Sequence, residues 1–142
     1  MGKATTFSSN LLKLTLNATA FANVADNAAT APFTNTYAGL HTADPGAGGS
    51  QTTSETSYTG YARQAVARTT GGWTVTTNSA SPVANIVFPV SSSGTPTITH
   101  FTVGTASAGA GTLWWSGTVT PNIVVSTSVV QTLTTGSTIV ES

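Results

Sequence analysis

Two histidines and four carboxylates are the chain's candidates for acid–base or metal chemistry. His41 and Asp44 stand three apart where a β-type run meets a loop, and His100 lies in a second such run. With one of the many serines they would form a Ser/His/Asp set, in which the imidazole takes the hydroxyl proton and the carboxylate orients the ring. No G-x-S-x-G turn accompanies them, and a serine-rich chain supplies such triples by chance, so catalysis is not expected. His41 is expected to satisfy backbone groups at the loop mouth, and His100 to tuck its ring into a half-buried sheet face. A metal site needs several His, Asp or Glu to converge. Two histidines and four carboxylates, widely scattered, predict none within the chain. The stretch Gly104–Thr112, GTASAGAGT, is glycine-rich but lacks the Lys-Ser/Thr of a phosphate loop, and reads as a flexible hairpin tip. No cofactor is expected.

Other polar and aromatic residues offer recognition rather than reaction. Arg63 and Arg68 lie in YARQAVAR, five apart, and on a strand would face opposite sides as solvated surface groups that pair with an acid or with a neighbouring subunit's carbonyls. Tyr58 and Tyr61 bracket Gly60 and should pack over its turn. Asn17-Ala18-Thr19 matches a glycosylation acceptor, which carries no weight without a secretion signal. The three tryptophans, three tyrosines and five phenylalanines could build a sugar-stacking platform if two exposed rings were coplanar. Trp114 and Trp115 are the one candidate pair. On a regular strand adjacent side chains point to opposite faces, which predicts one indole in the core and the other outside, available to another chain.

Composition narrows the function classes further. Charged residues make up 6% of the 142 residues, against roughly 25% in an average soluble domain. The acids are Asp26, Asp44, Glu55 and Glu141; the fixed bases are Lys3, Lys13, Arg63 and Arg68. Four bases cannot neutralise many phosphates, so nucleic acid is not an expected partner. Threonine and serine take the place of charge, and a net charge of zero favours association between copies. A hydrophobic fraction of 39% and abundant strand formers argue for order rather than disorder. Cysteine is absent, which removes disulfides and thiolate metal sites. No apolar run approaches a membrane span and no signal segment is evident, so synthesis in a host cytoplasm without membrane association is expected.

The elements that must carry these residues are mostly short strands. Thr36–His41, Ala62–Arg68, Gly72–Thr77, Ala84–Phe88, Thr97–Val103, Thr112–Ser116, Ile123–Ser126, Val129–Leu133 and Thr138–Val140 read as strands, separated by turn signals such as Asp44-Pro45-Gly46, Gly71-Gly72 and Pro121-Asn122. This predicts an all-β, antiparallel sandwich, jelly-roll-like, over residues 30–142. Residues 1–29 form an N-terminal arm or short helix. Leu12, Leu16, Ala20 and Val24 have helical spacing with Ser8 or Ser9 as cap, whereas Leu12, Leu14 and Leu16 alternate as a strand would. The two readings are evenly matched over Asn10 to Leu16. Thr42–Tyr58 is a long irregular stretch of the kind that is functional or disordered.

The ordered segments YAGLHTADPGAGGSQTTSE, SYTGYARQAVART, GGWTV, NIVFP and THFTVGTASAGAGTLWWSG resemble a family of small phage virion proteins, labelled tail fibre or head decoration proteins. The family pattern falls on Leu40–Pro45, Tyr61–Arg63, Phe88-Pro89, Thr99-His100 and Leu113–Gly117; the last departs from it, with two residues between Trp114 and Gly117. The resemblance covers Thr36 to Gly117 and implies a virion structural role without catalysis. With so short a chain leaving no room for a fibre shaft, the expectation is a capsid cement or decoration protein on the capsid exterior. Its partners would be the major capsid protein and its own copies, as trimer or dimer; a tail fibre protein that binds a receptor or glycan is the alternative. Contacts are expected from the arm (Met1 to about Val24) and the Thr42–Tyr58 loop. The candidate interface residues are Leu11, Leu12, Leu14, Leu16, Asp44, Glu55, Arg63, Arg68, Trp114 and Trp115.

Overall fold

The leucines near the N-terminus settle as a helix. The computed structural model describes residues 4–21 and 32–141. Helix α1 spans Thr5–Asn17, and its 3.6-residue period sends Leu12 and Leu16 into full burial while Leu11 and Leu14 stay half-buried at its flanks. Each buried leucine contributes roughly 1.5–3 kcal/mol of apolar transfer. The start differs from the expected Ser8 or Ser9 cap: Ala4 occupies the N-cap without a side-chain hydrogen bond, and Ser8 is buried one turn inside. Ala18, left-handed at φ 52°, ends the helix, so the helical spacing does not run on to Ala20. Val24, Ala29 and Met1 lie outside the described residues.

Nine strands follow: β1 Asn35–His41, β2 Gln64–Ala67, β3 Trp73–Thr76, β4 Ser79–Pro82, β5 Ile86–Val87, β6 Thr97–Gly104, β7 Leu113–Val124, β8 Thr132–Leu133 and β9 Ile139–Val140. They form sheets in the orders β2-β1-β6-β7, β3-β4-β9 and β5-β8, and the pairs β1–β6, β6–β7, β3–β4, β4–β9 and β5–β8 are antiparallel. The fold is all-β with one N-terminal helix, as the short runs and turn signals predict. Two corrections concern particular strands. Ser79–Pro82 is a strand although Ser-Ala-Ser-Pro has little strand propensity; its pairing with β3 and β9 supplies what propensity does not. β7 also runs through Pro121-Asn122 instead of breaking there, with a cis Thr120-Pro121 bond inside it.

The chain divides into two compact units. The first contains Met1–Asn35, Val66–Asn85 and Thr134–Ser142; the second contains Thr36–Ala65 and Ile86–Leu133. In the first, α1 packs on β3 and β4, and Leu12, Leu16, Trp73, Ala80 and Ile139 form the core. In the second, β1 and β6 bury Ala38, Leu40, Ile98 and Val103, and the β5–β8 ribbon turns Ile86, Phe88 and Leu133 inward. That core also contains polar groups: His41, Gln51, Thr102 and Arg63 are all buried. Buried polar groups must find partners, and here they find one another.

Candidate functional site

In the second unit one acid and one base, Glu55 and Arg63, point inward. Arg63 meets Glu55 as a fork, Nε to Oε1 at 2.6 Å and Nη2 to Oε2 at 2.7 Å, with the arginine side chain only 2% exposed. The remaining guanidinium donors reach the hairpin between β6 and β7: Nη1 donates to the Ala106 carbonyl and Nη2 to that of Gly109, each at 2.9 Å. Tyr61 accepts a hydrogen bond from the Leu40 N–H (2.9 Å) and donates its own to Glu55 (3.0 Å). Burial holds the Tyr61 phenol well above its ordinary value, so it serves as a neutral link between backbone and carboxylate. The glycine-rich tip that reads as flexible is thus fastened from below.

The long Thr42–Tyr58 loop is held by the same set. Gln51 is wholly buried; its Oε1 accepts from the Ala106 N–H at 2.8 Å and its own N–H donates to Gly111. A Cβ on Gly104 would lie 2.4 Å from Gln51 Cδ and 2.5 Å from the Thr112 carbonyl oxygen, so glycine there makes room for the glutamine. His41 closes the mouth of the loop, as expected. Its Nδ1 faces the Thr53 carbonyl at 2.9 Å and must carry the proton, which leaves Nε2 to accept from the Thr102 hydroxyl at 2.8 Å. Burial pulls the imidazole below its ordinary value and favours this neutral form, against the raising effect of the Thr53 bond. Tyr58 and Tyr61 pack edge to face around Gly60, and Tyr61 stacks on Phe88.

Arg68 plays a corresponding part in the first unit. Its Nε and Nη2 donate to the carbonyls of Thr15 and Leu14 in the last turn of α1, and Nη1 to Phe33. The last carbonyls of a helix lack intrahelical partners and carry partial negative charge, so a guanidinium is well placed there. Both arginines depart from the expected solvated state: each is only 7% exposed.

The remaining expected residues are dispersed. Asp44 is exposed and its Oδ1 accepts from the Gly46 N–H at 2.9 Å, capping its own turn instead of meeting His41. His100 pairs with His41 across the β1–β6 register, half-buried, with Nδ1 against its neighbour Thr99. Trp114 and Trp115 do not separate into core and surface. Val103 pairs with Trp115 and Gly104 with Leu113, so Trp114 is the extra residue of a β-bulge. The bulge breaks the alternation, both indoles are half-buried, and their rings meet at 79° with centroids 6.0 Å apart. Perpendicular rings are not the coplanar platform that sugar stacking needs.

Sequence reasoning did not find Gln51, Tyr61 or Thr102 as parts of the network. One signal was present for the ion pair. In a chain with so little charge, an acid and a base eight residues apart are natural candidates to pair.

The ordered segments, the all-β fold and the fastened Asp-Pro loop now stand together with a further observation: a family model described as the podophage GP4 fiber I protein gp80 matches residues 3–141. The chain belongs to this family. It is a small phage structural protein, as the resemblance of its segments implies. No curated protein matches the sequence.

For a gp80-family subunit the relevant surface is the one left outside. From Thr69 to Val140 there is no Asp, Glu, Lys or Arg, and Glu55 and Arg63 are turned inward. None of the twelve residues of β7, an edge strand, is fully buried. Val87, Val90, Val124, Val129 and Val130 of the second unit are all exposed. Among the described residues no three metal-binding side chains cluster, and no helix is long and apolar enough to cross a membrane.

Proposed function

We propose that the protein is a non-catalytic subunit of a fibre on the phage particle, working through uncharged β surfaces. The observation that carries this reading is membership, over nearly the whole chain, of a family described by a fibre protein. The geometry supports it physically. Internal fastening of the Thr42–Tyr58 loop and the β6–β7 hairpin makes the subunit ready to dock without ordering these segments first, which lowers the entropic cost of assembly. An exterior of threonine, serine and valine forms contacts without desolvating charge. Repetition in a particle then multiplies modest contacts into a firm attachment.

A capsid cement bound to the major capsid protein is the second reading. It is favoured by one feature: the described strands show no tandem repeat of the kind that builds a long shaft. Imaging of intact particles, with the chain located and its copies counted, tests the choice. Copies confined to an appendage are expected; copies spread over the shell lattice would overturn the fibre reading in favour of cement.

A further inference from the structure

The neck of the Thr42–Tyr58 loop is built more lightly than its interior. Deeper in, Gln51 and Glu55 are held by the β6–β7 hairpin and by Arg63. At the neck the two ends of the loop meet in an isolated antiparallel bridge, His41 to Glu55. Two backbone bonds flank it: the Thr42 N–H donates to the Ser54 carbonyl at 2.9 Å, and the Thr56 N–H to that of Leu40 at 3.0 Å. Thr42 and Ser54 are exposed, and Ser54 is held left-handed at φ 55°, a conformation that a side chain disfavours. A short, exposed and strained pairing of this kind is where a fold opens first.

The His41 side chain reinforces the neck in one protonation state only. Nδ1 donates to the loop at Thr53, and Nε2 accepts from Thr102 on β6. A Cβ on Gly39 would lie 3.0 Å from Thr102 Oγ1 and 3.3 Å from both His41 Nε2 and the Tyr61 hydroxyl. The three groups thus converge in a space that glycine leaves open. A second proton on Nε2 would face the Thr102 hydroxyl, which must give up the bond it donates. Burial resists the charge, and the groups around the ring do not compensate. Glu55 attracts a proton but is held in the Arg63 fork; Arg63, and His100 opposite on β6, repel it; Tyr61 is neutral. A buried imidazolium without a counter-ion is relieved by reaching water, and the exposed neck at which it stands supplies the route.

We infer that His41 is an acid-released latch. With a neutral ring it locks the neck of the loop to β6; a proton on Nε2 opens the neck while the β1–β6 ladder stays paired. The loop is therefore rigid at neutral pH and loosened in mild acid.

Amide hydrogen exchange of the full chain, read residue by residue by NMR and corrected for the intrinsic pH dependence of exchange, tests this. Thr42 and Thr56 are expected to be less protected than the amides of the β1–β6 ladder at every pH. Their protection should fall by up to about tenfold between about pH 7.5 and 5.5, because opening takes up a proton at a ring whose ordinary value is 6.5. His41→Gln should abolish this pH dependence, and His100→Gln should retain it. Neck protection equal to that of the ladder, which means that only global unfolding opens the neck, would overturn the inference. So would neck protection that is lower but independent of pH, or a pH dependence lost in His100→Gln instead. If His41→Gln does not fold, wild type and His100→Gln decide the matter between them.

Discussion

Arg63 and Arg68 come from one short segment, are equally buried, and are used differently. Arg63 is neutralised by a carboxylate and ties the long loop to the β6–β7 hairpin. Arg68 closes the C-terminal turn of α1 through carbonyl oxygens. One is an ion pair with hydrogen bonds around it; the other answers a helix terminus. Each unit thus places a buried arginine at a structural joint that apolar packing cannot make. Loop backbones and helix ends carry polar groups that a hydrocarbon side chain leaves unsatisfied.

Substitutions at the two arginines and around them test this difference. Arg63→Met should be the most damaging, costing about 3 kcal/mol or more in denaturant unfolding, because it strands Glu55 and two hairpin carbonyls. Leu16→Ala should cost roughly 2–4 kcal/mol by opening a cavity under α1. Arg68→Met should cost less than Arg63→Met, about 2 kcal/mol, since carbonyls near a helix end regain some solvation. Were Arg68→Met the more damaging, the distinction between a paired charge and a terminus cap would fail. Gly104→Ala should cost about 1–3 kcal/mol by driving a methyl group into Gln51.

A pH titration separates the interior from the surface without a large structural change. Burial holds His41 below its ordinary value of 6.5 in the folded chain. Above that pH the ring is neutral in both states and contributes no pH dependence. As pH falls below 6.5 the unfolded chain takes up a proton that the folded chain resists, so stability declines until the folded-state value is passed. Urea unfolding across this window should show the decline in wild type and a flatter profile in His41→Gln. The smallest effect belongs to Asp44→Asn, within about 0.5 kcal/mol, because its side chain caps an exposed turn.

Much of the fold was legible because hydrophobic alternation and turn residues are local signals. Trp73 to Thr76 and Thr97 to Val103 could be read directly as strands. Ser79–Pro82 could not, since tertiary pairing overrides its propensity. The Trp114 bulge was illegible for another reason: one extra residue reverses the alternation from which faces are read, and nothing in the local sequence marks it. For the site, His41 at the loop mouth and the tyrosines about Gly60 were accessible to reasoning from neighbours. The Glu55–Arg63 pair and Gln51 were not, because loop, turn and hairpin packing sets these partners and no local periodicity marks them.

Glu55, Arg63 and Arg68 are internal joints, and assembly is proposed to use the uncharged exterior. Solvent-accessibility footprinting of the free protein against the same chain in intact particles tests it most directly. New protection is expected at exposed residues of the charge-free segment, Val87 and Val130 among them, with Arg63 and Arg68 shielded equally in both forms. Protection appearing instead at Asp44 and the outer side of α1, with the valines still open to solvent, would contradict it.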